Sequence, residues 1–341
     1  MALAQAPTPK ASPKGLTDKV VFVHADPSVG VRSLRTITDV DLKSGDVVGS
    51  HGGPELDATS SSSHIKDEIE LMNPDGSSIT PLRVFGSDPM LSPDGTKIVY
   101  CSGKDTLYWQ IYVVDTAGKS PKRLTDVNSG DACGPAWSPD GKKIAYYVFA
   151  NTHPSRNPAI WIMDADGSNQ KRIAEHGMDP TWSPDGRQIA FSSRHDGVFQ
   201  IYSMNADGTN IRQLTKTNAE NSNPAWAPDG KSIAYISATS DDRRGLSVMN
   251  PDGSQPQGLV HSKHQDFCFP AWSNDGQFIL FTSLNRLGTQ SIVAGEDKPR
   301  CEQWTGEYQI FSVDNDLKVK QVTGAKVMGM RPSYGRVASA P

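Results

Sequence analysis

Hydrophobic and polar residues alternate in short runs along most of the chain, and the runs are separated by turns that contain Gly. In residues 180–191 (PTWSPDGRQIAF), two apolar runs flank the phrase Ser-Pro-Asp-Gly. Pro sets the backbone angle that begins such a turn, Asp caps it, and Gly adopts the positive φ that it needs. The segment therefore predicts a strand, a tight turn and a second strand.

This phrase or a near copy recurs at steps of 46, 45, 44 and 46 residues, at Asp94, Asp140, Asp185, Asp229 and Asp275. A second phrase, Asn/Asp-x-Asp-Gly, follows further alternating strands at Asp75, Asp166, Asp207 and Asp252, with looser copies at 115–118 and 314–316. Four strands in a repeat of this length are typical of one blade of a β-propeller. The pattern predicts an all-β fold.

The five copies account for five complete four-stranded blades, and the ends of the chain supply a sixth. Residues 19–24 read as a second strand and 68–84 as a hairpin, whereas 329–335 repeat the first-strand pattern of 178–183. The sequence therefore predicts six blades, the first of them composite and closed by the C-terminal strand. The alternative is a seventh blade that uses an additional hairpin at 36–48.

The length of the chain suits one closed ring of this kind. Of the 341 residues, we expect 1–18 to be a disordered N-terminal tail, 19–336 a single propeller domain and 337–341 a C-terminal tail. The repeated motifs Pro-x-Trp-Ser-Pro-Asp-Gly-x-x-Ile-Ala-Phe and Ile-Tyr-x-Met-Asn-x-Asp-Gly resemble those of the TolB-like six-bladed propellers. The resemblance covers nearly all of 19–336. It implies the fold, whereas the motif residues themselves build turns and core.

Two departures from the family limit what the resemblance implies about function. We expect neither the N-terminal domain that precedes the propeller in TolB itself nor the hydrolase domain that follows it in the prolyl oligopeptidase relatives. A place in the Tol envelope system is thus only weakly implied.

Composition narrows the choice of partner and compartment. The net charge is −4 and the Lys and Arg residues are scattered, which disfavours nucleic acid. No apolar run is long enough to span a membrane. Residues 4–6 (AQA) have the small-x-small form of a signal-peptidase site, which predicts a periplasmic or secreted protein. The alternative is an ordinary disordered terminus of a cytosolic protein.

Strand order assigns each residue to one end of the propeller. We call the end where first strands begin and second strands finish the loop face, and the end with the Asp-Gly turns the turn face. Cys101 and Cys133 fall on the loop face, as do Cys268 and Cys301. Each pair lies within plausible reach, so the sequence predicts two disulfides, with buried thiols as the alternative.

All eight His residues also lie in or beside loop-face segments: His24, His51, His64, His153, His176, His195, His261 and His264. The long insertions at 25–67, 149–158 and 285–307 share this face. Loops held by a rigid scaffold are where function concentrates. However, most variable sequence in a propeller lies in such loops, so chance alone would place many His residues there.

One residue precedes the Pro of each first strand and is expected to line the mouth of an axial funnel: Asp88, Gly134, Asp179, Asn223, Phe269 and Arg331. These groups can hold a cation, a sugar or a charged side chain of a partner. Alternatively, Arg331 neutralises Asp88 or Asp179 across a wet channel. Apart from such a channel cation, we expect no metal and no cofactor, because the Asp-x-Asp-Gly turns lack the later acidic ligands of a calcium loop.

Tryptophans divide into two sets. Four recur at one repeat position and are expected to pack between blades: Trp137, Trp182, Trp226 and Trp272. The other three, Trp109, Trp161 and Trp304, break the repeat. Trp109 and Trp304 adjoin loop-face insertions and would suit a glycan or protein partner if exposed. His261 and His264 join them as candidate binding residues.

Enzyme signatures are absent from the sequence: it has no Gly-x-Ser-x-Gly, Walker loop, His-Glu-x-x-His or Cys-x-x-Cys. The sequence favours a non-catalytic binding scaffold for a protein or glycan. The alternative is a secreted carbohydrate-active enzyme, a polysaccharide lyase or glycoside hydrolase, with His153 and His195 as acid and base and Arg156 or Arg194 holding a carboxylate.

Overall fold

The computed structural model describes residues 16–24, 67–127, 130–150, 158–194, 197–238, 244–261, 265–285, 308–323 and 329–338. All regular secondary structure in these ranges is β-strand, arranged as six antiparallel four-stranded sheets. The predicted six-bladed propeller is therefore confirmed. Within the same ranges, no helix has the length and hydropathy needed to cross a bilayer.

The strands follow the chain from blade to blade. Blade 1 contains β1 (Leu16–His24), β2 (Glu68–Met72) and β3 (Thr80–Phe85). Blade 2 contains β4 (Ser87–Leu91), β5 (Lys97–Ser102), β6 (Gln110–Asp115) and β7 (Lys122–Arg123). Blade 3 contains β8 (Gly130–Trp137), β9 (Lys143–Ala150), β10 (Ala159–Asp164) and β11 (Lys171–Ala174).

The second half of the ring repeats the same order. Blade 4 contains β12 (Met178–Trp182), β13 (Gln188–Ser193), β14 (Gln200–Asn205) and β15 (Arg212–Gln213). Blade 5 contains β16 (Asn221–Trp226), β17 (Ile233–Ala238), β18 (Arg244–Met249) and β19 (Gln257–Val260). Blade 6 contains β20 (Gln265–Trp272), β21 (Phe278–Asn285), β22 (Tyr308–Asp314) and β23 (Val319–Gln321).

The last strand, β24 (Gly329–Ala338), closes the ring by pairing with β1 in blade 1. Val20 pairs with Tyr334 and Leu16 with Ala338, so the composite blade predicted from the sequence is present. Strand β1 begins inside the predicted tail 1–18, and β24 continues beyond residue 336. The hairpin proposed at 36–48 for a seventh blade lies outside the described residues.

The second strand of every blade forms the core because both of its faces are covered. One aromatic residue recurs there in all six blades and is at most 4% exposed: Phe22, Tyr100, Tyr146, Phe191, Tyr235 and Phe281. Burying such a side chain stabilises a fold by up to about 3 kcal/mol. This repeat explains the apolar run that follows each Ser-Pro-Asp-Gly turn.

The repeated tryptophans pack between neighbouring blades, as predicted, and two of the four also donate a hydrogen bond across the junction. Trp182 Nε1 donates a hydrogen bond to the Ala136 carbonyl oxygen at 3.1 Å, and Trp272 Nε1 donates to the Ala225 carbonyl oxygen at 3.2 Å. In each case the acceptor belongs to the first strand of the preceding blade. A buried indole N–H that finds such a partner fixes the angle between two sheets.

The glycines of the Asn/Asp-x-Asp-Gly turns and their looser copies allow close contact between neighbouring blades. A Cβ atom on Gly118 of blade 2 would lie 2.0 Å from the Leu82 carbonyl oxygen of blade 1. A Cβ atom on Gly208 of blade 4 would lie 2.4 Å from the Ile173 carbonyl oxygen of blade 3. Both glycines also have positive φ, at 76° and 91°. The turn face is therefore committed to close backbone contact between blades.

The carboxylate of each Ser-Pro-Asp-Gly turn organises its own loop. Asp185 Oδ1 accepts a hydrogen bond from Ser183 Oγ at 2.6 Å and another from the Arg187 backbone N–H at 3.0 Å. Both bonds lower the pKa of Asp185 below its ordinary value, and the bond from Ser183 has the larger effect. Asp140 is bonded in the same way by Ser138 and the Lys142 N–H, and its pKa is lowered too.

Candidate functional site

The first strands of the blades surround the propeller axis, because each contacts the first strands of both neighbouring blades. In all six, the regular pairing is interrupted at the residue that precedes Pro. That residue has a left-handed φ of 51° to 59° in every blade, and we call the set the ring residues: Asp88, Gly134, Asp179, Asn223, Phe269 and Arg331. Pro has no N–H to donate to the ladder, so a bulge forms at this point.

The ring backbone is anchored to the preceding blade at three of its six positions. The Asn223 N–H donates to Ser192 Oγ at 3.0 Å, and the Arg331 N–H donates to Thr282 Oγ1 at 3.1 Å. The Gly134 backbone makes the corresponding hydrogen bond to the Cys101 thiol. A hydroxyl or thiol on the second strand of one blade thus fixes the ring residue of the next.

The identity of the ring residues varies although their backbone does not. Asp, Asn and Gly adopt left-handed φ readily, whereas for other L-residues this conformation costs about 1–2 kcal/mol. Phe269 and Arg331 carry that cost, and the two side chains contact each other: the Arg331 guanidinium carbon lies 4.2 Å from the centroid of the Phe269 ring. Strained residues that persist in this way mark candidate functional positions.

Arg331 also forms an ion pair with Asp88 through Nη1 and Oδ1. Both side chains are largely buried, at 9% and 14% exposed. Burial lowers the pKa of Arg331, and the carboxylate of Asp67 opposes that shift. The interpretation in which Arg331 neutralises Asp88 therefore describes one side of the ring.

The opposite side of the ring contains an amide and a carboxylate in contact. Asn223 Nδ2 donates a hydrogen bond to Asp179 Oδ2 at 3.0 Å across the junction of blades 4 and 5. The predicted funnel residues are thus brought together as two clusters. One consists of Phe269, Arg331 and Asp88, and the other of Asp179 and Asn223.

Of the four candidate catalytic residues, Arg194 alone lies in the described part of the chain. Its guanidinium is 3.2 Å from Glu220 Oε1 and 4.9 Å from the centroid of the Phe199 ring. Glu220 also accepts a hydrogen bond from Arg244 Nη2 at 2.9 Å. Arg194 therefore contributes to an ion-pair network between blades 4 and 5. The other three, His153, Arg156 and His195, lie outside the described residues.

The remaining His and Trp candidates do not gather at one place. His24 Nδ1 lies 3.2 Å from Glu70 Oε1, and His261 is exposed at the end of blade 5. Trp109 would suit a partner if it were exposed. It is half-buried and packs against the core of blades 2 to 4, and its backbone N–H donates to Asp131 Oδ1 at 2.8 Å. The others lie outside the described residues: His51, His64, His264 and Trp304.

The predicted disulfides have different outcomes. Cys101 and Cys133 are neighbours, as expected, but the predicted bond between them is wrong because both are thiols. Burial raises the pKa of Cys101 well above its ordinary value. Cys268 is fully buried and disulfide-bonded. Its predicted partner Cys301 lies outside the described residues, so that pairing stays a prediction.

Sequence reasoning located the ring residues but missed their left-handed backbone and the thiol and hydroxyl groups that anchor them. The signal for the first was available, because a Pro inside a strand pattern indicates a bulge. The signal for the second was the polar residue in the otherwise apolar second strand, at Cys101, Ser192 and Thr282.

Comparison with known proteins points to one family. The model of the TolB beta propeller domain matches residues 89–310. The Tol-Pal system protein TolB of Hahella chejuensis is 34% identical over 80 residues, which are 23% of this chain and 18% of that protein. The uncharacterized peptidase YuxL of Bacillus subtilis is 37% identical over 62 residues, which are 18% of this chain and 9% of that protein. Both matches thus span less than a fifth of the relative.

Solved structures agree at the level of fold. TolB from Acinetobacter baumannii superposes with a TM-score of 0.68 at 18% identity, covering 95% of this chain and 68% of that one. The putative TolB from Agrobacterium tumefaciens gives 0.63 at 21%, covering 80% and 98%. An oligogalacturonate lyase from Vibrio parahaemolyticus gives 0.51 at 15%, covering 75% and 71%. At these identities the likeness concerns architecture alone.

Proposed function

The chain belongs to the TolB β-propeller domain family, and on that premise we propose that it is an exported, non-catalytic scaffold that binds a protein partner at the loop face and the funnel mouth. The observation that carries the proposal is the ring. Its backbone is the same in every blade, whereas its residues are two aspartates, an asparagine, a phenylalanine, an arginine and a glycine, so the ring offers acidic, amide, aromatic and basic contacts around one axis.

The turn face is a poor candidate for the same role. The glycines of its Asn/Asp-x-Asp-Gly turns and their looser copies lie against backbone atoms of the neighbouring blade, and the carboxylates of its Ser-Pro-Asp-Gly turns accept hydrogen bonds from their own loops. These groups are used in building the ring of blades. They also repeat from blade to blade, so they provide little with which to distinguish one partner from another.

A polypeptide fits the ring better than a glycan does. Sugars are commonly held by an open aromatic face, but one face of Phe269 is covered by the Arg331 guanidinium, and Trp109 packs against the core. An ion pair, an amide–carboxylate contact and an aromatic edge in one funnel instead suit the mixed side chains of a protein segment. Glycan binding becomes an outcome of the test.

Export is supported by the disulfide at Cys268, since structural disulfides persist in oxidising compartments. It can be checked by osmotic-shock fractionation of the organism that makes the protein. A periplasmic or secreted location is expected, and recovery with cytosolic markers would contradict it.

The alternative function, a polysaccharide lyase or glycoside hydrolase, gains no specific support. Arg194 is engaged by Glu220, and the likeness to the oligogalacturonate lyase is one of fold. We therefore carry the binding function alone to experiment.

Peptides selected from a random phage-displayed library on the folded protein provide a probe for the unidentified partner. Their affinity is then measured by calorimetry for Phe269→Asn, Asp179→Asn and Asp207→Ala. The first two variants place Asn at ring positions, as the chain itself does at Asn223, so the bulge is preserved. Asp207 lies in an exposed turn and is the control.

We expect each ring variant to weaken binding about tenfold or more, which corresponds to roughly 1.4 kcal/mol, and Asp207→Ala to leave it unchanged. Loss of binding in the turn variant with retention in both ring variants would refute the assignment. A glycan array screened in parallel decides the class of partner: glycan binding that depends on the ring, without peptide binding, would exclude the protein partner.

A further inference from the structure

Three side chains with metal-binding atoms meet beside the ring, at the junction of blades 2 and 3. One carboxylate oxygen of Asp88 and the sulfur atoms of Cys101 and Cys133 all lie within 4.8 Å of one another. The Cys101 thiol donates a hydrogen bond to Asp88 Oδ2 at 3.3 Å, and it also contacts Cys133. Cys101 is 0% exposed and Cys133 is 4% exposed.

These separations suit a tetrahedral ion. With Zn–S bonds of about 2.3 Å and Zn–O bonds of about 2.1 Å, the ligand atoms of a tetrahedral zinc site lie roughly 3.5–3.8 Å apart. Since the three atoms lie within 4.8 Å of one another, each separation needs to close by about 1.3 Å at most. A disulfide would instead require the two sulfurs to approach to about 2.05 Å.

Charge balance also favours the ion. Arg331 is bonded to Asp88 Oδ1, so its charge offsets that of the carboxylate while Oδ2 stays directed at the thiol. When a divalent cation replaces the protons of two thiols, the net charge of this buried group does not change. Soft sulfur ligands select zinc and similar metals over calcium or magnesium.

Residues with hydroxyl groups stand at the positions of both cysteines in other blades. Ser192 and Thr282 occupy the position of Cys101 in blades 4 and 6, and a hydroxyl there receives the ring N–H equally well. Ser222 occupies the position of Cys133 in blade 5. The hydrogen bond to the ring N–H therefore does not require sulfur, although both cysteines also belong to a buried core cluster.

We propose that Cys101, Cys133 and Asp88 form a binding site for a thiophilic divalent cation, zinc being the first to test. Three protein ligands leave one tetrahedral position for water or another ligand. The site was not expected from the sequence, because its ligands belong to two blades and form no short motif.

The test uses the full chain, purified under anaerobic conditions that leave the Cys268 disulfide intact, and freed of metal. Zinc affinity is measured by competition with a chromophoric chelator, and Co²⁺ is used to detect the thiolate-to-cobalt charge-transfer absorption that marks sulfur ligands. The chain supplies conservative variants for each ligand: Cys101→Ser follows Ser192, Cys133→Ser follows Ser222, and Asp88→Asn follows Asn223. Asp207→Asn, at a turn-face carboxylate outside the ring, is the control.

We expect one zinc ion per chain, with affinity reduced more than about 100-fold in each Cys variant and retained in the control. The Co²⁺ charge-transfer band should vanish in the double Cys variant. Thermal melting of the metal-free variants shows whether they remain folded. The proposal is overturned if the anaerobically purified protein binds no zinc, if the Cys variants bind it as tightly as the parent, or if protein isolated without reductant contains a Cys101–Cys133 disulfide.

Discussion

The contact between neighbouring blades at the turn face gives the sharpest stability prediction. Replacing Gly118 with Ala introduces a Cβ atom 2.0 Å from the Leu82 carbonyl oxygen and 3.0 Å from its carbon. Backbone atoms of the preceding blade cannot rotate away as a flexible side chain can. The chain offers a matched control in Gly197, which also has positive φ, at 97°, but whose Cβ would meet no atom within 4 Å.

The expected losses follow from these two geometries. An L-residue at positive φ costs about 1–2 kcal/mol, and this term applies to both substitutions. Gly118→Ala adds an overpacking cost of about 1–3 kcal/mol. The lower entropy of the unfolded chain when Ala replaces Gly is common to both variants and cancels in the comparison. Gly118→Ala should therefore lose about 2–5 kcal/mol, and Gly197→Ala about 1–2 kcal/mol.

Urea unfolding followed by tryptophan fluorescence measures both values. We expect the midpoint of Gly118→Ala to fall well below that of Gly197→Ala, with similar dependence on urea concentration. Equal losses in the two variants would show that the Asp-Gly turn is a local device, and the claim that the turn face is committed to contacts between blades would be wrong.

Three further predictions concern single sites. In blade 6, Leu317 occupies the turn position of Gly118, has a φ of +61° and is 47% exposed. Leu317→Gly should therefore raise the free energy of unfolding by about 1 kcal/mol. A lower urea midpoint would contradict this. Arg331→Gln should destabilise the protein by about 3 kcal/mol, because it leaves the buried Asp88 carboxylate without its counter-charge. Adding Asp88→Asn should recover part of that loss. A double variant with no recovery would argue against the ion pair. Since hydrogen bonds lower the pKa of the turn carboxylates from 3.8 in the folded state, their stabilisation is complete above that value and is lost as the pH falls below it. The urea midpoint should therefore drop in this acid range, and less steeply in variants with Asn at the turn positions Asp140 and Asp185.

The repeat predicted the fold because the period and the turn chemistry act locally. A Pro-Asp-Gly phrase specifies its own hairpin, and the alternation around it decides which face is buried, so both are readable in a single blade. The composite first blade was also predicted, since residues 329–335 preserve the first-strand pattern far from the rest of their sheet.

The arrangement of the site was harder to predict from the sequence, because it depends on contacts between blades. The sequence placed Asp88 and Arg331 on one funnel, yet only the structure shows that they pair while Asp179 binds Asn223. The sequence left open whether Trp109 is exposed, and packing against blades 2 to 4 half-buries it. Cys101 and Cys133 were correctly placed together, but periodicity carries no information about whether two neighbouring sulfurs form a bond.

The central claim is that the loop face and funnel mouth bind the partner. Hydrogen–deuterium exchange of the protein with and without a selected peptide tests it over the whole surface at once. The account predicts slower exchange at the beginnings of the first strands, around 87–91, 178–182 and 265–272, with no change in the Asp-Gly turns. Protection confined to the turns, with unchanged exchange around the ring, would contradict the account.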